Sequence, residues 1–266
     1  MQNSRTQIVA TLGPVSNTEA VIEAMIASHL DVVRLNFSWG THAEHGEFIA
    51  KTRRIAIKLG KTVPIIADLS GPREQSESGH QFSGKEGSVI TEKDKNDLRF
   101  VLSQKVEYVA ISYVGGANDI LELRSLISEY GGAAKIIAKI EREVAVKNIQ
   151  AIIDVSDAIM VARGDLGSAI PLETVPFVQK EIIALCNQSS KPVIVATEMM
   201  SSMIEREIPA RADVTDVAYA VLMGADAVML SNETAAGKNP VQVVEMMERI
   251  ALEAERHEET REINPL

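Results

Sequence analysis

Short runs of β-branched and aliphatic residues alternate along this chain with longer stretches in which apolar residues recur at i, i+3 and i+4. The short runs are TQIVATLG (6–13), DVVRLNFS (31–38), VPIIADLS (63–70), VEYVAIS (106–112), AKIIAKIE (134–141), AIMVARGD (158–165), KPVIVATEM (191–199) and DAVMLSNE (226–233). Runs of that length and composition predict strands. The longer periods between them, such as TEAVIEAMIASH, DILELRSLISEY and DVTDVAYAVLMG, predict helices. A last helix opens at Pro240, whose fixed φ and missing N–H suit a first turn.

The strands are apolar on both faces and joined by segments of crossover length, which requires a parallel sheet covered by helices. Eight strand–helix units in 266 residues are best satisfied by a closed (β/α)8 TIM barrel, a single α/β domain over residues 1–266. An open doubly wound sheet is the alternative, and it rarely needs eight repeats. One connection breaks the rhythm. Between the third strand and a helix opening at Thr91-Glu92-Lys93-Asp94 lies GPREQSESGHQFSGKEGSVI, rich in Gly, Ser and charge. A loop of about 20 residues is usually functional or disordered, and this one leaves the strand end where barrel active sites lie. A lid, the remnant of something larger and an insertion without a role all fit it.

Composition narrows the picture. Hydrophobic residues make up 45% of the chain and aromatic ones 4%, so the core must be aliphatic. A net charge of −10, with both signs interleaved, argues against a nucleic-acid partner, which would need a basic face. The lone Cys186, in the apolar run EIIALCNQ, cannot form an internal disulfide and reads as a core thiol in a cytoplasmic protein. No run of 18 apolar residues and no apolar leader is present, so neither membrane insertion nor secretion is expected.

Charge collects where the strands end: Arg34, Asn36 and Ser38, then Asp68, Lys139 and Glu141, Arg163 and Asp165, Thr197 and Glu198, and Glu233. Alternation puts Lys139 and Glu141 on one face, and likewise Arg34, Asn36 and Ser38. Two carboxylates on neighbouring strands, with no His–Cys cluster beside them, suit Mg²⁺ or Mn²⁺ with positions left for substrate oxygens. In Arg163-Gly164-Asp165-Leu166-Gly167 the glycines fall where a strand turns into a helix, so free N–H groups there can hold a carboxylate. Lys139 beside a divalent ion would stabilise an enolate or a phosphoryl group. Capping and salt-bridge roles are the plain alternative for any one of these positions. For THAEH, the start of an exposed helix is preferred to a metal site at His42 and His45, and Met199, Met200 and Met203 read as a flexible packing surface of a helix.

The segments IVATLGP, VVRLNFSWGTHAEH, IIAKIE, SDAIMVARGDLG, QKEIIALCNQSSKPVIVATEMMSSM and RADVTDVAYAVLMGADAVMLSNETAAGKNPVQVVEMM resemble the barrel domain of pyruvate kinases over nearly the whole chain. The resemblance implies that Glu141 and Asp165 bind the divalent metal and that Lys139 faces the transferred phosphoryl and the enolate oxygen. It implies a carboxylate held by the Gly164 and Asp165 amides with Thr197, which also lies near the proton at the methylene carbon. Arg34 would contact phosphate, making Lys139, Thr197 and Arg34 the catalytic set, and Arg163 is counted with the substrate-binding group. Asn36, Ser38 and Asp68 resemble the family's monovalent-cation site, for K⁺. The family carries a β-rich lid domain after the third strand and a C-terminal domain. On this resemblance residues 70–90 stand in place of the first, and the second is missing. Family helices matching residues 172–250 form subunit contacts, so a homo-oligomer is expected.

The departures fall on the phosphate side. The family's Asp-Thr-Lys-Gly-Pro-Glu-Ile-Arg reads Asp68-Leu69-Ser70-Gly71-Pro72-Arg73-Glu74-Gln75 here, and its histidine after Asn-Phe-Ser is Trp39. Arg73 stands where a cation could replace potassium. These changes favour enolate chemistry on pyruvate, phosphoenolpyruvate or another 2-oxo acid, with an unknown co-substrate: C–C bond formation, cleavage or decarboxylation in the manner of an aldolase or other lyase. A minimal pyruvate kinase moving phosphate between phosphoenolpyruvate and ADP, and a non-catalytic pyruvate-binding module, are the alternatives.

Overall fold

A computed structural model describes residues 3–76, 79–83, 88–257 and 264–265. In chain order the strands are β1 (Gln7–Thr11), β2 (Val32–Asn36), β3 (Ile65–Asp68), β4 (Arg73–Ser76), β5 (Gly79–Phe82), β6 (Tyr108–Ile111), β7 (Lys135–Ile140), β8 (Ala158–Ala162), β9 (Val193–Ala196) and β10 (Ala227–Leu230). The helices are α1 (Glu19–Ala27), α2 (His42–Leu59), α3 (Glu92–Ser103), α4 (Ala117–Glu129), α5 (Glu143–Lys147), α6 (Ile149–Val155), α7 (Arg163–Ala169), α8 (Val175–Gln188), α9 (Arg211–Leu222), α10 (Asn232–Ala235) and α11 (Pro240–Glu255). Eight strands close a parallel barrel in the order β1-β10-β9-β8-β7-β6-β3-β2. This is the (β/α)8 barrel that the alternation of strand and helix patterns predicts.

Two apolar layers hold it. Outward residues such as Ile8, Val33, Ile65, Ile136 and Val195 pack under the helices. Inward residues Val9, Val32, Ile66, Tyr108, Ile137, Met160, Ile194 and Met229 fill the barrel itself. The same two-residue alternation carries four of these inward rows upward to a polar tip: Val9 to Thr11, Val32 to Arg34, Ile66 to Asp68, Ile137 to Lys139. The site is therefore the top layer of the barrel's own interior.

The opposite end uses a repeated device. An acidic residue just before every second barrel strand accepts the first free N–H of its neighbour: Asp31 from Ile8 (2.8 Å), Glu107 from Ile65 (2.9 Å), Asp157 from Ile136 (2.8 Å) and Asp226 from Val193 (3.0 Å). These carboxylates satisfy strand-end donors that would otherwise be lost at the barrel floor.

Several local features differ from the patterns in the sequence. The strands β4 (Arg73–Ser76) and β5 (Gly79–Phe82) pair antiparallel, with Gln75 opposite His80. Their polar composition gives no alternation from which to expect strands. Met199, Met200 and Met203 lie in the core, at most 1% exposed, where a flexible helix surface was expected. Cys186 is wholly buried, and burial pushes its thiol up to about 12. His42 and His45 lie in the first turns of α2, bonded to Asp97 and to the Trp39 carbonyl. Among the described residues no helix is long and apolar enough to cross a membrane.

Candidate active site

Four buried charges meet at the barrel mouth. Lys139 sends its ammonium to Asp68 (3.1 Å), Glu141 (2.8 Å) and the Ser112 hydroxyl (2.7 Å). Arg34 grips the other Asp68 oxygen through Nε and Nη2, at 2.8 and 2.6 Å, and donates through Nη1 to Thr11 (3.0 Å). Arg34, Asp68, Lys139 and Glu141 are each no more than 8% exposed. Burial alone would strip the Lys139 proton, but Asp68 and Glu141 outweigh it and hold the ammonium above its ordinary pKa. Burial would likewise raise Asp68, and Lys139 with Arg34 reverses that, leaving it below the usual carboxylate range. Buried ion pairs of this kind seldom add net stability, so their placement here points to chemistry.

Glu141 behaves differently. Burial pushes its carboxyl up, Lys139 opposes this, and the nearby Asp165 pushes it up further. Tyr113 ties the two carboxylates together: its N–H donates to Glu141 Oε2 at 2.6 Å and its hydroxyl reaches Asp165 Oδ1 at 3.5 Å. Glu141 Oε1 faces Lys139 without a well-directed hydrogen bond. A divalent cation fits this pair. It would relieve two like charges and take the under-used oxygen. Among the described residues no set of three or more His, Cys, Asp or Glu converges. Two carboxylates completed by water and substrate oxygens suit Mg²⁺ or Mn²⁺, which rarely occupy all-protein cages.

Across the mouth, β8 ends at Ala162 and α7 begins at once, so the first-turn amides of Gly164 and Asp165 have no intrahelical partner. Gly164 has a specific reason to lack a side chain, since a Cβ there would lie 2.8 Å from Thr197 Cγ2. Thr197 has φ 77° and Glu198 φ 56°, both left-handed. A β-branched residue in that region is strained and needs support.

Arg163, expected among the substrate-binding residues, supplies contacts to this backbone. Its guanidinium pairs with Asp216 (2.6 Å from both Nη1 and Nη2) and donates to the carbonyls of Thr197 (2.7 Å) and Ala196 (3.3 Å). These contacts tie it to the backbone that follows β9. Glu233 is structural too, accepting from the N–H groups of Met200 and Ser231. Glu198 is exposed.

The residues expected to hold a monovalent cation divide. Asp68 belongs to the charge cluster, Asn36 Oδ1 accepts from the Ser38 N–H (3.1 Å), and the buried Ser38 hydroxyl has no hydrogen-bond partner among the described residues. Arg73 lies on the β6 side of this group. Its Nε donates to the Ser70 carbonyl (2.7 Å), Nη2 approaches Ser112 (3.5 Å), and its guanidinium sits over the Tyr113 ring. Thr11, Ser112, Tyr113 and Asp216 escaped the sequence reading. For Ser112 and Tyr113 the signal was a Ser-Tyr pair closing the fourth apolar run.

The family model described as "Pyruvate kinase, barrel domain" matches residues 3–87 and 85–244. The chain belongs to the pyruvate kinase family. Among relatives, "Pyruvate kinase" of Sporosarcina psychrophila is 36% identical over 336 residues, covering 94% of this chain and 57% of the relative. "Pyruvate kinase 2" of Synechocystis sp. is 36% identical over 345 residues, covering 98% and 58%. The chain thus spans a little over half the length of these pyruvate kinases. Both aligned lengths exceed its 266 residues, so the relatives carry residues with no counterpart in it. The two segments matched by the pyruvate kinase barrel model meet at residues 85–87.

Proposed function

We propose that this barrel is a divalent-metal-dependent phosphotransferase of pyruvate kinase type, acting at its mouth on phosphoenolpyruvate or pyruvate. The observation that carries the reading is Lys139, a charged ammonium held in the buried centre by Asp68, Glu141 and Ser112. A fixed cation there stabilises negative charge as it develops on an enolate oxygen or a departing phosphoryl group, without solvent reorganisation. The α7 amides of Gly164 and Asp165 hold the substrate carboxylate, and Thr197 stands beside them to pass a proton to or from C3. Arg34 faces the phosphate. Glu141 and Asp165 would hold Mg²⁺ or Mn²⁺, which would supply Lewis-acid charge there. Arg73 takes the place of a monovalent cation. Residues 70–90 replace a longer element, which the meeting of the two matched segments at 85–87 supports. The exposed Leu172, Phe177, Tyr219 and Leu222 support pairing of copies.

The relatives are pyruvate kinases, and none of those named is an aldolase or other lyase. Phosphoryl transfer therefore displaces the carbon–carbon chemistry favoured by the sequence. Proton NMR of pyruvate in D₂O with Mg²⁺ tests the shared enolate step. Deuteration of the methyl group by the wild type, lost in a folded Lys139→Ala variant, is expected. Equal exchange in both proteins removes Lys139 from the chemistry and the reading with it.

A further inference from the structure

The rim of the mouth beside Glu141 carries a row of contacts that the proposed chemistry does not use. Phe82 closes β5, and its half-buried ring meets the Tyr113 ring at 5.4 Å between centroids, tilted by 48°. The Arg142 guanidinium lies over the same Phe82 ring, 4.2 Å from its centroid. Tilted rings and a cation over a ring face are both attractive arrangements. Arg142 Nε is closed off from solvent and has no hydrogen-bond partner among the described residues, so stacking on Phe82 replaces part of the solvation it has lost. Gly115 makes room for the guanidinium, since a Cβ there would stand 2.3 Å from Arg142 Nη2.

This clasp sits on two of the turns that shape the expected metal site. Arg142 directly follows Glu141 beyond the end of β7, and Gly115 lies two residues after Tyr113 beyond the end of β6. Tyr113 is 1% exposed and held at φ 58°, a left-handed conformation that a bulky residue keeps only with support. From that turn it reaches both carboxylates, with its N–H on Glu141 and its hydroxyl toward Asp165. Phe82 comes from a hairpin outside the barrel, yet its ring packs against this one residue that touches both members of the pair. Without that ring the strained turn loses packing, and the spacing of Glu141 and Asp165 loosens with it.

We propose that Phe82 is a positioning residue for the divalent-ion site: clasped by Arg142 and packed on Tyr113, it steadies the turn that sets Glu141 against Asp165. The seat of the β4–β5 hairpin on the rim is thereby coupled to metal affinity. The metal assignment on which Phe82 acts is that of the function proposed above. Such coupling is reciprocal. Whatever factor the seated hairpin adds to metal affinity, the bound metal returns to the seating of the hairpin.

The test titrates Mn²⁺ into the full chain without substrate and reads the free ion by its electron paramagnetic resonance signal. Phe82→Ala should weaken Mn²⁺ binding about two- to tenfold, the range that one aromatic pair spans. Phe82→Tyr keeps a ring and should restore the affinity of the wild type. In the wild type, saturating Mn²⁺ should slow amide hydrogen exchange in β4 and β5 by the same factor, a change that a purely structural Phe82 would not produce. Equal Mn²⁺ affinity in the wild type and Phe82→Ala overturns the proposal, as does hairpin exchange that is indifferent to Mn²⁺. Glu141→Gln distinguishes this from failure of the metal assignment, because it should weaken Mn²⁺ binding whatever Phe82 does. Equal binding by the wild type and Glu141→Gln would remove the metal from this pair, and the coupling with it.

Discussion

The guanidinium of Arg163 donates at 2.7 Å to the carbonyl of Thr197, a β-branched residue held at φ 77°. The two come from consecutive barrel strands, one opening α7 and the other following β9. Asp216 on α9 fixes the far side of the guanidinium. The strain at Thr197 is thus supported by a partly buried salt link instead of by a glycine.

Arg163→Lys keeps the charge on Asp216 but loses the fork that also serves Thr197. Methyl exchange of pyruvate should slow about tenfold or more, as expected when a reacting group shifts from its aligned position. The apparent KM should change little, because the α7 amides remain. A variant with unchanged exchange rate and a lowered Tm would assign Arg163 to stability alone.

The same pair marks where sequence reading reaches its limit. Lys139, Asp68 and Arg34 were legible because a strand's two-residue period fixes which tips share a face. Arg163 was not: β8 ends at Ala162, so Arg163 follows helical geometry and its side chain leaves the shared face. Tyr113 was hidden for a related reason. It lies past β6 at φ 58°, and only that left-handed turn aims its N–H at Glu141 and its hydroxyl at Asp165. Fold class followed from periodicity alone, whereas these contacts depend on single backbone angles between elements.

Glu141 and Asp165 share the expected metal, so EDTA should abolish methyl exchange and Mg²⁺ or Mn²⁺ should restore it. Glu141→Gln keeps the shape and removes one anionic ligand. The metal concentration for half-maximal exchange should rise by on the order of a hundredfold, at or above the effect of disturbing a metal's outer shell. An unchanged metal requirement would take Glu141 out of the ligand set.

Arg73 places a permanent cation within 3.5 Å of the Ser112 hydroxyl that also receives Lys139. Exchange by the wild type should therefore be the same in potassium and in tetramethylammonium salts at equal ionic strength. Arg73→Glu should create a potassium requirement, with activity lost in tetramethylammonium and largely recovered in potassium. Potassium dependence in the wild type, or equal behaviour of both proteins, would sink the replacement role.

Asp31 offers a pH test far from the chemistry. Burial is the main cause that raises its carboxyl to about 6; the Ile8 N–H opposes this and Glu248 adds to it. The unfolded carboxyl titrates near 3.9, so the folded chain holds this proton more tightly. Between about pH 4 and pH 6 folding takes up a proton, and stability falls as pH rises. The contribution is complete below the unfolded pKa and is lost as pH passes through the folded value. A shift of about two units corresponds to roughly 3 kcal/mol. Asp31→Asn can still accept from Ile8 and carries no charge at any of these pH values. The Tm of the variant relative to the wild type should therefore be several degrees higher at pH 8 than at pH 4, on the scale of about 2–4 °C per kcal/mol. A difference that is flat with pH would mean that folding leaves the Asp31 carboxyl unshifted, and one of opposite sign that folding lowers it.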